Sequence, residues 1–308
     1  MRVMFLAVLL QALTAPDPAQ MEKAPDLGYL PVAPTVNLPD GVSLGAPSSV
    51  AITGDGHLLI FNRGAHPLVE LDRDGKFLRS LGEGLYTRPH GMRLDAQGNI
   101  WTTDVGAHAF TKMSSRGEIL LTLGVKGQAG DWNESANSRL LNEPNDLAFG
   151  PSGDVFVVQG HGRGDGRVLR FDKNGKLISS WGGKGTGPGQ FDIAHSIVID
   201  ARQLVYVADR QNRRVQVFDV SGKLVKEWKY AGLPCGLFIG PNQQMYLLSG
   251  YAGQILKLDG NGRAIAATGQ PGKGFGEFGE AHYMAMGPGG EIFVADTVNA
   301  TLHKFVRK

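Results

Sequence analysis

Three of the chain's eight histidines, His90, His195 and His282, fall at one point of an internal repeat, in every second copy. Aligned on Ser48, His90, Asn145, His195, Cys235 and His282, each segment follows a Pro or Ala and opens a short apolar run. In order the runs are SVAIT, GMRLD, DLAFG, SIVID, GLFIG and YMAMG. If six copies close into a ring, the imidazoles stand about 120° apart around its axis. Imidazole nitrogen suits Zn²⁺, and three protein ligands leave positions open for water or substrate, the mark of a catalytic rather than a structural site. The plainer alternative is three polar hub residues hydrogen-bonding buried turns.

A second register lies fifteen residues further on, at Arg63, Val105, Gly160, Arg210, Gly250 and Thr297. That interval takes the chain down one strand and up the next, back to the same end of the channel. Arg63 and Arg210 belong to the first and fourth copies, which face each other in a ring of six. Two guanidiniums beside a metal suit a carboxylate-bearing substrate, small molecule or peptide, and can neutralise an alcohol as it ionises. Ordinary surface salt bridges are the alternative. His161 stands next to Gly160, and its plain reading is an exposed loop histidine. Arg213 and Arg214, in the turn that follows Arg210, read as solvated. His108 reads as a turn residue, His57, His66 and His303 as structural residues without partners, and Cys235 as a small buried hydrophobe.

The elements that must position these residues are short strands. The fourth copy runs HSIVID, LVYVADR, RVQVFDV and KLVKEW, with Gly, Asn, Asp or Arg at the turns between them. Hub spacings of 42, 55, 50, 40 and 47 residues match propeller blades rather than helical solenoids. The fold class is therefore all-β, a six-bladed β-propeller over residues 28–308. The sixth copy ends after three strands, and residues 28–32 (GYLPV) are the candidate strand to complete it and close the ring. The glycine-rich stretches 182–191 and 269–278 lack the Gly-Lys-Ser/Thr ending of a phosphate loop, so they read as connectors whose Phe plugs the space between sheets.

Bulk composition excludes several classes. With 31 basic and 29 acidic residues there is no footprint for nucleic acid. Forty-four glycines and 16 prolines fit many strands joined by tight turns, and one cysteine permits no intrachain disulfide. Arg2, the apolar run 3–10 and Thr14-Ala15 read as a signal peptide over residues 1–15, followed by a flexible leader over 16–27. The expectation is an exported protein, periplasmic or secreted, with no membrane span once mature.

The stretches RPHGMRLDAQGNIWTTDVGAH (88–108), GPGQFDIAHSIVID (187–200) and VADRQNRRVQVF (207–218) resemble the NHL-repeat propellers, and among them the peptidyl-α-hydroxyglycine α-amidating lyases. That resemblance implies cleavage of a peptidyl-hydroxyglycine to an amide and glyoxylate. It implies His90, His195 and His282 as zinc ligands, with Arg63 and Arg210 matching arginines of the lyase site. The family's tyrosine base falls in an Asp-Gly-Tyr run where this chain has Gln159-Gly160-His161, which makes His161 the candidate base. The family also holds a structural calcium, but Tyr283 stands where the lyases carry its aspartate ligand, which leaves Ca²⁺ a possible second ion whose site is in doubt. The competing class is a non-catalytic exported propeller that binds a protein or ligand on one face. A calcium-dependent lactonase-like hydrolase is disfavoured, because such sites prefer oxygen ligands.

Overall fold

Each repeat folds as one four-stranded antiparallel sheet, built from alternating apolar runs separated by turns that the sequence specifies closely. The turn between the third and fourth strands shows how. In four of the blades an aspartate (Asp72, Asp172, Asp219, Asp259) accepts the backbone N–H groups two and four residues on. In the second blade Ser114 does the same. Each turn then needs a positive φ, supplied by Gly75, Gly117, Gly175, Gly222 and Gly262 at 80–91°.

The structure is a computed structural model, and it describes residues 20–162 and 164–308. Six such sheets are present, with no α-helix among the described residues. The first blade comprises Pro47–Ile52, Leu58–Asn62, Leu68–Leu71 and Phe77–Leu81, and the fourth Ala194–Ile199, Val205–Asp209, Arg214–Phe218 and Leu224–Lys229. The sixth combines Ala281–Met286, Ile292–Asp296 and Thr301–Arg307 with Tyr29–Val32, which pairs antiparallel with Thr301–Arg307 as the outer strand. Tyr29 is buried there, and its hydroxyl donates to the Gly290 carbonyl at 3.0 Å.

The core lies between blades, in apolar clusters such as Phe156, Val168, Ile197, Val207 and Phe218. Phe191 and Phe278, from the two glycine-rich connectors, are fully buried in such clusters. Two expectations meet the structure differently. Residues 1–15, read as a signal peptide, lie outside the described residues, and so does the start of the leader. Residues 20–27 are not a free leader: Leu27 N–H bonds the Ala267 carbonyl and Ala267 N–H the Pro25 carbonyl, both at 2.8 Å. Glu22 is tied to Gln254 and to Ala231. The open edge of the fifth sheet explains this, since it offers backbone groups that a passing chain can satisfy.

Candidate metal centre and active site

The hub residues owe their direction to a repeated irregularity. In every blade the pairing of the first and second strands slips at the hub position, between Pro47 and Ser49, Pro89 and Met92, and Pro144 and Asp146. The same slip falls between Ala194 and Ser196, Pro234 and Gly236, and Ala281 and Tyr283. Ser48, His90 (with Gly91), Asn145, His195, Cys235 and His282 are thus the residues left unpaired at these irregularities. A bulge re-aims its side chain, here toward the axis.

His90, His195 and His282 meet there, buried, with ring centroids 4.7, 4.7 and 4.9 Å apart. One ligand atom from each lies within 4.8 Å of the others, a group that could hold a metal ion. Each Nδ1 engages the backbone carbonyl of the hub residue in the next blade. His90 reaches Asn145 O at 2.7 Å, His195 reaches Cys235 O at 2.9 Å, and His282 reaches Ser48 O at 2.6 Å. A carbonyl only accepts, so Nδ1 must carry the proton, which leaves Nε2 as the free lone pair. The Nε2 atoms of His90 and His195 are buried with no protein partner. Burial, then the neighbouring imidazoles and arginines, hold His90 and His195 well below the usual histidine range. His282 is lowered to about 4, chiefly by burial, with Glu280 opposing. Three neutral imidazoles with neighbouring ligand atoms, two of them with an orphaned Nε2, fit a borderline divalent cation such as zinc.

Above the tripod opens a cavity of about 810 Å³, lined by Arg63, Arg210, His161, His282, Glu280 and Thr297 among others. The structure therefore places Arg63 and Arg210 at one cavity with His282, and His161 lines it beside them. His161 packs edge-on to His90 at 4.8 Å and against His195 at 5.7 Å. It is no exposed loop residue. Burial first, then His90 and Arg210, push its pKa well below the ordinary value, so it is neutral with a ring lone pair available, although its protonated form is disfavoured there.

Glu280, Arg88 and Tyr251 also line this cavity and were not read from the sequence as site residues. Arg88 and Glu280 lie two residues before hub histidines, and Ile193 and Leu233 of the same column share the wall. A charged residue at that column is the signal that could have found them. Glu280 is buried, accepts the Thr297 hydroxyl, and lies 3.3 Å from Arg210 Nη1. Burial raises its pKa, but His282 and Arg210 outweigh this and keep it below the usual carboxylate value.

Some expectations need correcting. Arg214 is not solvated: it is 5% exposed and binds Asp209 and Glu227, each at 2.7 Å, and the Gly187 and Gln190 carbonyls. It ties the glycine-rich connector to the blade. His57, His66 and His303 do have partners, in Glu70, Glu83 and Asp296. His108 has φ of 56° and accepts the Glu143 N–H through Nδ1, the behaviour of a turn residue. The Cys235 thiol is fully buried and its pKa is pushed up, first by burial and then by Glu280, so it stays protonated.

The residues on the other side of the tripod do not fit a calcium ion. Asp146, fully buried, is held by Arg93 through Nη2 at 2.6 Å and Nε at 3.0 Å. The same guanidinium donates to Leu237 O at 3.3 Å and lies 5.5 Å over the Tyr283 ring, while the Tyr283 hydroxyl bonds His195 O at 2.8 Å. The Asp146 carboxylate and the Leu237 carbonyl thus already serve a cation that belongs to the protein.

Residues 153–252 match the family DUF5128, described as a 6-bladed beta-propeller. Peptidyl-glycine alpha-amidating monooxygenase of Mus musculus is 33% identical over 205 residues, 56% of this chain and 20% of that protein. The probable peptidyl-alpha-hydroxyglycine alpha-amidating lyase pgal-1 of Caenorhabditis elegans is 29% identical over 56% of this chain and 55% of its own. NHL repeat-containing protein 3 of Homo sapiens is 34% identical over 47% of this chain and 42% of its own. The chain thus spans about half the length of the latter two, and a fifth of the first. Among solved structures, a gluconolactonase from Xanthomonas campestris superposes with a TM-score of 0.64 at 16% identity, over 86% of this chain and 87% of its own. A streptogramin B lyase does so at 0.62 and 14% identity, over 91% and 97%, and at these identities both speak for the fold alone. The chain is a six-bladed β-propeller whose relatives, at about 30% identity, include proteins named as peptidyl-α-hydroxyglycine α-amidating lyase and as NHL-repeat proteins.

Proposed function

We propose that this protein is a zinc-dependent carbon–nitrogen lyase that cleaves a peptidyl or N-acyl α-hydroxyglycine to an amide and glyoxylate. The observation that carries the reading is the tripod itself. Three buried histidines have their Nδ1 atoms committed to backbone carbonyls, at the floor of a cavity walled by Arg63 and Arg210. Zinc held by His90, His195 and His282 would supply a Lewis acid toward a substrate oxygen. His161, neutral and packed against His90, takes the proton of the substrate hydroxyl. As the carbon–oxygen double bond forms, the C–N bond breaks and its electron pair goes to nitrogen, which takes up a proton to leave as the amide. Arg63 and Arg210 neutralise the carboxylate and the charge that develops on oxygen. The same proposal has the protein exported, on the strength of its N-terminal residues.

The test combines metal analysis of gently purified protein with an assay for glyoxylate released from a hydroxyglycine substrate. One zinc per chain with glyoxylate release supports the reading, and zinc without release refutes the activity. The competing reading, a non-catalytic propeller binding a partner on one face, draws on His161 standing where the lyases have tyrosine. Neither metal nor turnover would favour it.

A further inference from the structure

Arg63 and Arg210 occupy matching positions in opposite blades, yet they are not equivalent. Arg210 is 7% exposed and its Nη1 lies 3.3 Å from Glu280 Oε1, so its charge is met inside the protein. Arg63 has only a neutral acceptor, the Pro89 carbonyl at 3.2 Å from Nε. Its guanidinium feels that of Arg88, which lines the same cavity, more strongly than the Glu280 and Asp104 carboxylates, and neither arginine forms an ion pair among the described residues.

The chain also holds Arg88 deliberately. The Asp104 carboxylate, itself buried, accepts the backbone N–H groups of Thr87 and Arg88. Room for the side chain comes from Gly106, where a Cβ would stand 2.9 Å from the Cβ of Arg88. Two like charges that line one cavity, neither of them ion-paired, repel each other, and an anion bound between them would relieve that repulsion.

We infer that Arg63 and Arg88 together form the seat of the substrate's carboxylate, and that Arg210, held by Glu280, serves the oxygen that becomes the aldehyde. The identity of the substrate rests on the lyase reading, but the anion seat does not. Arg88 is then a substrate-binding residue, and the asymmetry fixes which way round a carboxylate-bearing ligand lies.

The test titrates glyoxylate calorimetrically into the full chain as isolated, and into Arg88→Ala, Arg88→Lys and Arg116→Ala. Arg116 is an exposed arginine in an outer turn of the same blade and controls for net charge. Losing one charge-assisted contact should weaken glyoxylate binding roughly ten- to a hundredfold in Arg88→Ala. Arg88→Lys should recover part of the loss, and Arg116→Ala should bind as the parent does. With a hydroxyglycine substrate the Arg88→Ala defect should fall on KM rather than kcat. Equal affinity in parent and Arg88→Ala, or no glyoxylate binding to the parent, overturns the inference. Binding that depends on Arg88 without any cleavage keeps the seat and removes the lyase reading.

Discussion

His195 donates from Nδ1 to the carbonyl oxygen of Cys235, 2.9 Å away in the next blade and 40 residues along the chain. The bond is one of three related by the repeat, and in each the orienting group is backbone. A histidine cluster oriented by a side-chain partner can lose it to one mutation, whereas this tripod is oriented by the propeller backbone itself.

Removing a ligand should therefore separate metal from fold. In His195→Ala the Cys235 carbonyl loses its buried donor, a cost of about 1–3 kcal/mol, yet each blade keeps its own core. The expected protein melts cooperatively at a lower temperature and holds no stoichiometric zinc, as measured by atomic emission. A variant that still carries one zinc per chain would show that the tripod is not the site.

Changing His161 should spare the metal and strike the chemistry. In His161→Ala zinc content is retained while kcat falls by about 10²–10⁴, the usual contribution of a positioned acid–base group. An unchanged kcat would move the base elsewhere in the cavity.

The metal-free protein should lose stability as pH falls from 7 toward 4. Folded His282 titrates at about 4, against about 6.5 for a free histidine. Between those values the unfolded chain binds more protons, so protonation favours unfolding, by on the order of 3 kcal/mol from His282 alone. His90 and His195, shifted the same way, add to it. Thermal melts of chelator-treated protein at successive pH values measure this, and a melting temperature flat from pH 7 to 5 contradicts it.

Breaking the axial ion pair should be costly and calcium-independent in the parent. Arg93→Ala leaves the fully buried Asp146 charge uncompensated, a loss of about 3–5 kcal/mol. Addition of EGTA with calcium-free buffer should leave the parent's melting temperature unchanged. A calcium-dependent shift in the parent would mean that Arg93 does not replace the ion.

Strand Tyr29–Val32 should matter far more than its length suggests. Deleting it exposes the edge of Thr301–Arg307 and uncovers the cluster containing Phe278 and Phe305. The expected result is a lower melting temperature with aggregation on heating, followed by light scattering.

Much of this was legible because a repeat multiplies weak signals. One short apolar run means little, but six of them at blade spacing, with Asp-x-x-Gly turns between strands, leave few folds that bury every sheet. The hub histidines and the Arg63/Arg210 register followed from counting within that repeat. Arg214 misled because a run of charge after a turn usually faces water, whereas here Asp209 and the connector carbonyls enclose it. Glu280 and Arg88 went unread because their meaning depends on facing blades, not on their own.

By itself the sequence determined the sheets, their number and the column to which His90, His195 and His282 belong, since local alternation and turn chemistry specify those. The tertiary structure alone decided that the hub residues are bulged toward the axis, and that Nδ1 and not Nε2 is spent on a backbone carbonyl. It alone decided that Arg93 pairs with Asp146, and that Arg210 rather than Arg63 forms the ion pair with Glu280. Those outcomes depend on contacts between residues 40 or more positions apart, whose geometry exists only once the ring has closed.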